Sequence, residues 1–252
     1  MTNFSNKLLT IKDLSKDYYM PKSIISAVLN VSFDLYENQI ISILGPSGSG
    51  KSTILSILCN LDKQTSGTIK YKENITIGIM LQTDELFEYL TVYENCLLPL
   101  KINKICTKEN IEYIENLLDK YNLKEFKDEN PKNLSGGMRQ RVSLIRTLSL
   151  KPDILFLDEP FSSLDYTTRL KLSDDVYRIL KEEKKSAVIV THDIEEAISM
   201  SNKIIILTKR PSVVKNIYEI NDLIENKPTK KRKEKNFSKY FNKIWEDLEN
   251  GK

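Results

Sequence analysis

The chain is poor in the residues that mark secreted, membrane-spanning or metal-clustered proteins. Its three cysteines, Cys59, Cys96 and Cys106, lie far apart in 252 residues. The odd count and the absence of metal-ligand spacing argue against a disulfide framework and a zinc cluster. No apolar run is long enough to cross a bilayer as a helix. The opening MTNFSNKLLTIKDLSK lacks the apolar core of a secretory leader, so a cytoplasmic location is expected. The net charge of +3 is too small to demand nucleic acid, and much of it sits in one run, KPTKKRKEK at Lys227 to Lys235. There is a single histidine, His192. What remains is the composition of a globular domain, 40% hydrophobic and 29% charged, long enough to bury a sizeable core.

Against this background one octapeptide stands out, GPSGSGKS at Gly45, Pro46, Ser47, Gly48, Ser49, Gly50, Lys51 and Ser52, followed by Thr53. It fits G-x-x-x-x-G-K-[ST]. The preceding QIISIL (Gln39 to Leu44) reads as a buried strand. The following residues place Ile54, Ile57, Leu58 and Leu61 on one helix face. Strand, glycine loop and helix together form a phosphate cradle. Glycines admit backbone angles that turn successive N–H groups onto an anion. The helix start adds its dipole and its unpaired N–H groups. Lys51 supplies charge for the β- and γ-phosphates, and Ser52 a hydroxyl for Mg2+.

Strands are expected near Leu8 to Leu14, at Val31 to Leu35, and at Thr68 to Leu81, the last as two strands around a Glu73-Asn74 turn. From Thr83 to Leu150 the pattern is helical. Ile111, Ile114 and Leu118 form one stripe behind Thr107 as N-cap, and Met138, Val142, Ile145 and Leu148 form another. ILFL after Pro152, a helix with Leu172, Val176 and Ile179, and AVIV at Ala187 to Val190 alternate as in a parallel sheet covered on both faces. Lys203 to Ile220 reads as a closing hairpin around Arg210-Pro211-Ser212. Phe237, Phe241, Ile244 and Leu248 mark a last helix, with Asn250-Gly251 as its stop.

Hydrolysis needs carboxylates beside the cradle. ILFLDEP (Ile154 to Pro160) brings Asp158 and Glu159 to the C-terminal end of a buried strand, where open α/β sheets bind their ligands. Asp158 suits Mg2+, and Glu159 suits a general base for water. LSGGMRQR at Leu134 to Arg141 sets Ser135 as N-cap with Gly136 and Gly137 behind it. Taken alone it is a capped helix.

The order GPSGSGKS, Gln82 after a strand, LSGGMRQR, ILFLDEP, SLD (Ser163 to Asp165) and THD (Thr191 to Asp193) resembles the nucleotide-binding subunit of ABC transporters. SKDY, LTVYENCLLPL, LDEPFSSLDYTTR, THDIEEA and TKRPS resemble the nitrate/sulfonate/taurine importer type. The resemblance implies an α/β fold with a P-loop NTPase (RecA-like) core and a mostly parallel sheet. An N-terminal antiparallel β subdomain and an inserted α-helical subdomain at 83–150 complete a nucleotide-binding domain at 1–225. A basic linker and amphipathic helix follow at 226–252.

It also implies roles. Tyr18, with Tyr19 adjacent, would stack on adenine. Gln82 would touch Mg2+ or the attacking water and sense the membrane partner. Ser135 and Gly137 would bind the γ-phosphate of ATP held by a second copy, and Asp165 would bridge the two. His192, following the apolar AVIV strand, would contact that phosphate and hold Glu159. The partners implied are a second copy of the chain, transmembrane permease subunits and, indirectly, an extracytoplasmic solute-binding protein, with the subunit on the cytoplasmic face of a bacterial membrane. ATP is the nucleotide and Mg2+ the metal.

Rival readings lack their signatures. A DNA-associated ATPase with the same signature carries long coiled-coil or zinc-binding insertions between cradle and signature, and this interval has neither heptads nor a cysteine cluster. An exporter of the same family differs from an importer only through the resemblance. A GTPase needs an N-K-x-D base reader, which is absent. Leu86, Phe87, Tyr89 and Leu90 fit either a groove for a permease helix or ordinary core. The run at Lys227 to Lys235 reads as a solvated linker, with contact to anionic lipid as the alternative.

Overall fold

The computed structural model describes residues 6–162 and 164–249. The chain opens with two long strands, β1 (Lys7–Met20) and β2 (Ser23–Tyr36), then β3 (Ile40–Leu44), helix α1 (Lys51–Leu58), β4 (Ser66–Tyr71) and β5 (Ile77–Met80). Three helices follow, α2 (Val92–Ile102), α3 (Lys108–Lys120) and α4 (Gly136–Leu148). Strand and helix then alternate through β6 (Ile154–Asp158), α5 (Tyr166–Glu182), β7 (Ser186–Thr191), α6 (Ile194–Met200), β8 (Lys203–Leu207) and β9 (Val214–Glu219). A short α7 (Pro228–Lys231) and α8 (Phe237–Glu249) close the described chain.

Two sheets result. The larger has the order β5-β6-β7-β3-β8-β9, parallel except for the β8–β9 hairpin. The smaller is antiparallel, ordered β2-β1-β4. The period-2 geometry of a strand sorts the large sheet's side chains onto two faces. Leu155 and Leu157 of β6 join the core under α2, α4 and α5, whereas Ile154 and Phe156 join the core under α1 and the antiparallel sheet. β3 and β7 are buried at every residue, as near-continuous apolar runs covered on both faces are, with Ser42, Ser186 and Thr191 the buried polar exceptions.

Four local readings change. β1 and β2 run well past Leu14 and start before Val31, because bulges at Asp13 and Asn30 bend the strands without ending them. Both residues take positive φ, and the Ser32 and Ser15 hydroxyls accept from their N–H groups at 2.8 and 2.9 Å. The two strands expected around Glu73-Asn74 do form, but in different sheets: β4 pairs with β1 and β5 with β6. Helix α1 stops at Leu58, so Leu61 is no part of its apolar face and is 67% exposed. Asn60 at φ 57 lets the Leu61 N–H reach the Ser56 carbonyl and the Asn60 N–H that of Ile57, a Schellman end.

The fourth change concerns Lys227 to Lys235, which is docked rather than solvated. Thr229 donates its N–H and hydroxyl to Asp174 at 2.9 and 2.6 Å, and Arg232 pairs with Glu195 at 2.8 Å. Acidic groups on α5 and α6 thus hold a run that composition alone assigns to solvent. α8 packs beyond it through buried Phe237 and Ile244, against a cluster that includes Ile194 and Ile198 of α6. Asn250-Gly251 and Ser163 lie outside the described residues.

Candidate active site

The C-terminal ends of β3 and β6 place the candidate chemistry together. After Leu44 the chain turns through Gly48 at φ 75 and Gly50 at φ 80, left-handed angles that glycine adopts without strain. α1 starts at once, with no side chain capping its first N–H groups. Lys51 folds back and donates to the carbonyls of Gly45 and Pro46 at 2.8 and 3.0 Å. Burial pushes its ammonium pKa down, while Glu159 and Asp158 work against that shift. The Ser49 hydroxyl, buried in the same loop, has no hydrogen-bond partner among the described residues.

Strand β6 delivers the acids. The Ser52 hydroxyl donates to Asp158 Oδ1 at 3.3 Å. Burial holds the Asp158 carboxyl above its ordinary range; the Ser52 hydrogen bond opposes this and the Glu159 charge adds to it. Glu159 leaves the strand at φ 44, anchored by its N–H on the Val190 carbonyl at 2.9 Å. That turn aims its carboxylate at two groups: His192 Nδ1 stands 3.2 Å from Oε1, and Gln82 Nε2 is 3.5 Å from Oε2. Ser47 to Thr53, Glu159 and Arg210 line a cavity of about 230 Å3. A convergent hydroxyl and carboxylate beside a loop of inward N–H groups fits a magnesium–polyphosphate ligand.

The sequence model of the ABC transporter family matches residues 28–162. An uncharacterized ABC transporter ATP-binding protein of Bacillus subtilis (strain 168) is 41% identical over 95% of both chains. The aliphatic sulfonates import ATP-binding protein of Bacillus anthracis is 34% identical over 96% of each. The nitrate import ATP-binding protein of a Synechocystis strain is 32% identical over 94% of this chain and 93% of its own. Among solved structures, a dimeric post-hydrolysis ATP-binding cassette bound to ADP and Pi matches at TM-score 0.73 and 34% identity, covering 85% of this chain and 99% of the other. The chain belongs to the ABC transporter family.

In this ABC subunit the remaining predicted residues lie apart from the cavity. Ser135 caps α4, accepting the Met138 N–H at 3.4 Å, and is exposed. A Cβ on Gly136 would meet Leu164 at 2.9 Å, and one on Gly137 would meet Thr168 at 2.9 Å. Gly136 thus packs closely on Leu164 before α5, and Gly137 on Thr168 in its first turn. Asp165 caps α5 through the N–H groups of Thr167 and Thr168, and hydrogen bonding from the Thr168 side chain, then from these N–H groups, holds its carboxyl pKa low. Tyr18 sits in β1, half-buried, with its hydroxyl on Asp62 at 3.1 Å and Lys16 4.8 Å over its ring. Its neighbour Tyr19 is exposed.

Two connections were not legible as motifs. Arg210 Nε donates to the Gly48 carbonyl at 3.1 Å, closing the phosphate loop from outside. Next to it, Ser212 bonds the Ala27 carbonyl through both its N–H and its hydroxyl and accepts from the Leu29 N–H, so the hairpin turn is tied behind Gly50. The TKRPS string was the available signal. Second, α4 holds the loop after Gln82. Arg139 grips Asp84 with two bonds of 2.7 and 2.9 Å, and Arg146 donates to the Glu85 and Asp84 carbonyls at 2.6 and 2.7 Å. Burial works upward on the Asp84 carboxyl, but Arg139 keeps it below its ordinary value. That loop buries Leu86 and leaves Phe87 and Tyr89 exposed, their rings 5.5 Å apart.

Proposed function

We propose that this protein is the ATP-hydrolysing subunit of a solute importer of the nitrate/sulfonate/taurine type, working as a dimer on a membrane permease. The observation that carries the reading is Glu159, turned out of β6 beside the phosphate loop and gripped by His192. Lys51 and the loop N–H groups bind the β- and γ-phosphates. Ser52 and Asp158, with Gln82 nearby, would hold Mg2+, which neutralises phosphate charge when bound. Glu159 orients the attacking water and takes its proton, and His192 fixes that carboxylate. Tyr18 packs against adenine.

Ser135, Gly136 and Gly137 would complete the site of a second copy, with Asp165 at the seam, so two ATP molecules lie between two chains. Closing that seam excludes water and aligns the reactants. Hydrolysis releases it, and the swing is transmitted to the permease through the loop of Gln82, Phe87 and Tyr89. No described helix is long and apolar enough to cross a membrane, so translocation falls to the permease, fed by an extracytoplasmic solute-binding protein. The place of work is the cytoplasmic face of the membrane.

Glu159→Gln tests this. Steady-state hydrolysis should fall roughly 100-fold or more, the scale of a lost general base. ATP affinity should persist, and the ATP-bound dimer should last longer in light scattering. Hydrolysis at the parent rate sinks the assignment.

A further inference from the structure

A concavity lined by lysines without ion pairs among the described residues lies away from the nucleotide. It is a cavity of about 500 Å3 between α5 and the segment running from β9 into α7. That volume falls within the range of small-molecule sites. Lys231, from the basic run, is only 5% exposed at its base. Its ammonium donates to the Tyr177 hydroxyl at 3.0 Å and lies 4.4 Å from that ring's centroid. Lys181, exposed at the mouth, stands 5.4 Å from the same centroid. An ammonium has three donors, and the phenol accounts for one of Lys231's.

The carboxylates around the cavity are engaged elsewhere. Glu182 pairs with Lys120 at 2.8 Å and Asp175 with Arg141 at 2.8 Å, while Asp174 accepts from Thr229. Glu225 is nearest Lys230 at 3.9 Å, and Glu234 accepts the N–H groups of Ile224 and Glu225. Neither Lys181 nor Lys231 forms an ion pair among the described residues. Burial, and then the Lys181 charge, push the Lys231 ammonium down to about 8, against the smaller opposing pull of the Glu234 carboxylate. A buried cation beside a second cation is costly unless an anion joins them. The wall also carries Ile220 and Leu223, both buried, with Ile224 exposed, and the polar Asn202, Asn226, Arg178 and Lys227 complete it.

We propose that this cavity binds a small organic anion, its carboxylate, sulfonate or phosphate oxygens on Lys231 and Lys181 and its hydrocarbon part on Leu223 and Ile220. The site uses neither the phosphate loop nor the dimer seam, so it stands apart from the ATPase reading. Occupancy would fasten the basic run to α5.

Calorimetric titration of the full chain with butanesulfonate, and separately with vesicles of anionic phospholipid, tests it. The soluble anion should bind the parent and Lys51→Ala alike, which separates this site from the phosphate loop. Lys231→Met and Lys181→Met should each weaken it at least tenfold, and Lys231→Arg should restore part of the loss. Lys181→Met changes only an exposed side chain, so it reports even if Lys231→Met, which takes the donor from the Tyr177 hydroxyl, misfolds. Loss of binding in Lys51→Ala, unchanged binding in both methionine variants, binding of vesicles alone, or no heat from the soluble anion would each overturn the proposal.

Discussion

Two helices of this molecule have glycine at their N-terminus, Gly50 just before α1 and Gly136 as the first residue of α4, and their starts are built in opposite ways. α1 begins after Gly50 in a left-handed conformation, with no side chain over its first N–H groups and Lys51 folded onto the loop carbonyls. α4 begins behind Ser135, whose hydroxyl already takes the Met138 N–H, and its glycines press against Leu164 and Thr168. The first start is open to an anion and braced from behind by Arg210 and Ser212. The second is satisfied within its own chain, so a phosphate arriving there exchanges one bond for another. On the proposed reading a single copy would bind nucleotide at α1, whereas α4 would contribute only when a second copy presents its phosphates.

The largest effect that follows is on Lys51→Ala. Losing two charge-assisted bonds to phosphate, each about 1.5–3 kcal/mol, should weaken ATP by about 100-fold or more in calorimetry. An affinity within a few-fold of the parent would erase the distinction between the two starts. Ser135→Ala should behave differently. ATP affinity of the isolated subunit should stay put, stability should drop by about 1 kcal/mol for the lost cap, and steady-state hydrolysis should fall roughly tenfold. Weakened ATP binding by the monomer would show that α4 serves its own chain's nucleotide.

How much of this could be read beforehand differs between the same two regions. The cradle, the acids on β6 and the caps at Thr107, Ser135 and Asp165 are local: each needs only a short window of residues whose types dictate backbone angle or burial. The parallel character of the large sheet followed from alternation of buried runs with helices, whereas its strand order, β5-β6-β7-β3-β8-β9, did not. One failure was local: Asn60, a residue type suited to the left-handed end of a helix, stops α1 before Leu61. The others were non-local. Thr229, Lys231 and Arg232 look like solvated chain until the fold brings Asp174, Tyr177 and Glu195, respectively, against them. Arg210 is separated by 162 positions from the Gly48 carbonyl it closes over. Likewise, that Arg139 of the signature would hold Asp84 depends on a helix crossing no pattern encodes.

A pair of glycine substitutions sharpens the comparison at the level of packing. On Gly50 a Cβ would stand 2.9 Å from Val28 Cγ2 and 3.1 Å from the Ala27 carbonyl, at a φ of 80. Gly50→Ala meets both backbone strain and a backbone neighbour, and should cost about 2 kcal/mol in urea denaturation. Gly137→Ala meets only the Thr168 methyl at 2.9 Å, in a helix where alanine is otherwise favoured. Its cost should be about 1 kcal/mol or less. Equal losses would mean that both glycines are there for contact alone and that the left-handed turn of the phosphate loop carries no special demand.

The smallest effect belongs to Arg210. Its bond to the Gly48 carbonyl is exposed to solvent, so its net worth is about 0.5–1.5 kcal/mol. Arg210→Ala should weaken ATP about threefold and leave thermal stability nearly unchanged, because Ser212 keeps the turn tied to Ala27 and Leu29. The informative comparison is Ser212→Ala, which removes the hydroxyl bond behind Gly50 while leaving Arg210 in place. If the loop is braced chiefly by the buried tie, Ser212→Ala lowers the melting temperature more than Arg210→Ala yet changes ATP affinity less. The opposite ranking would place the brace at the arginine and make the outer face of the loop part of the nucleotide site.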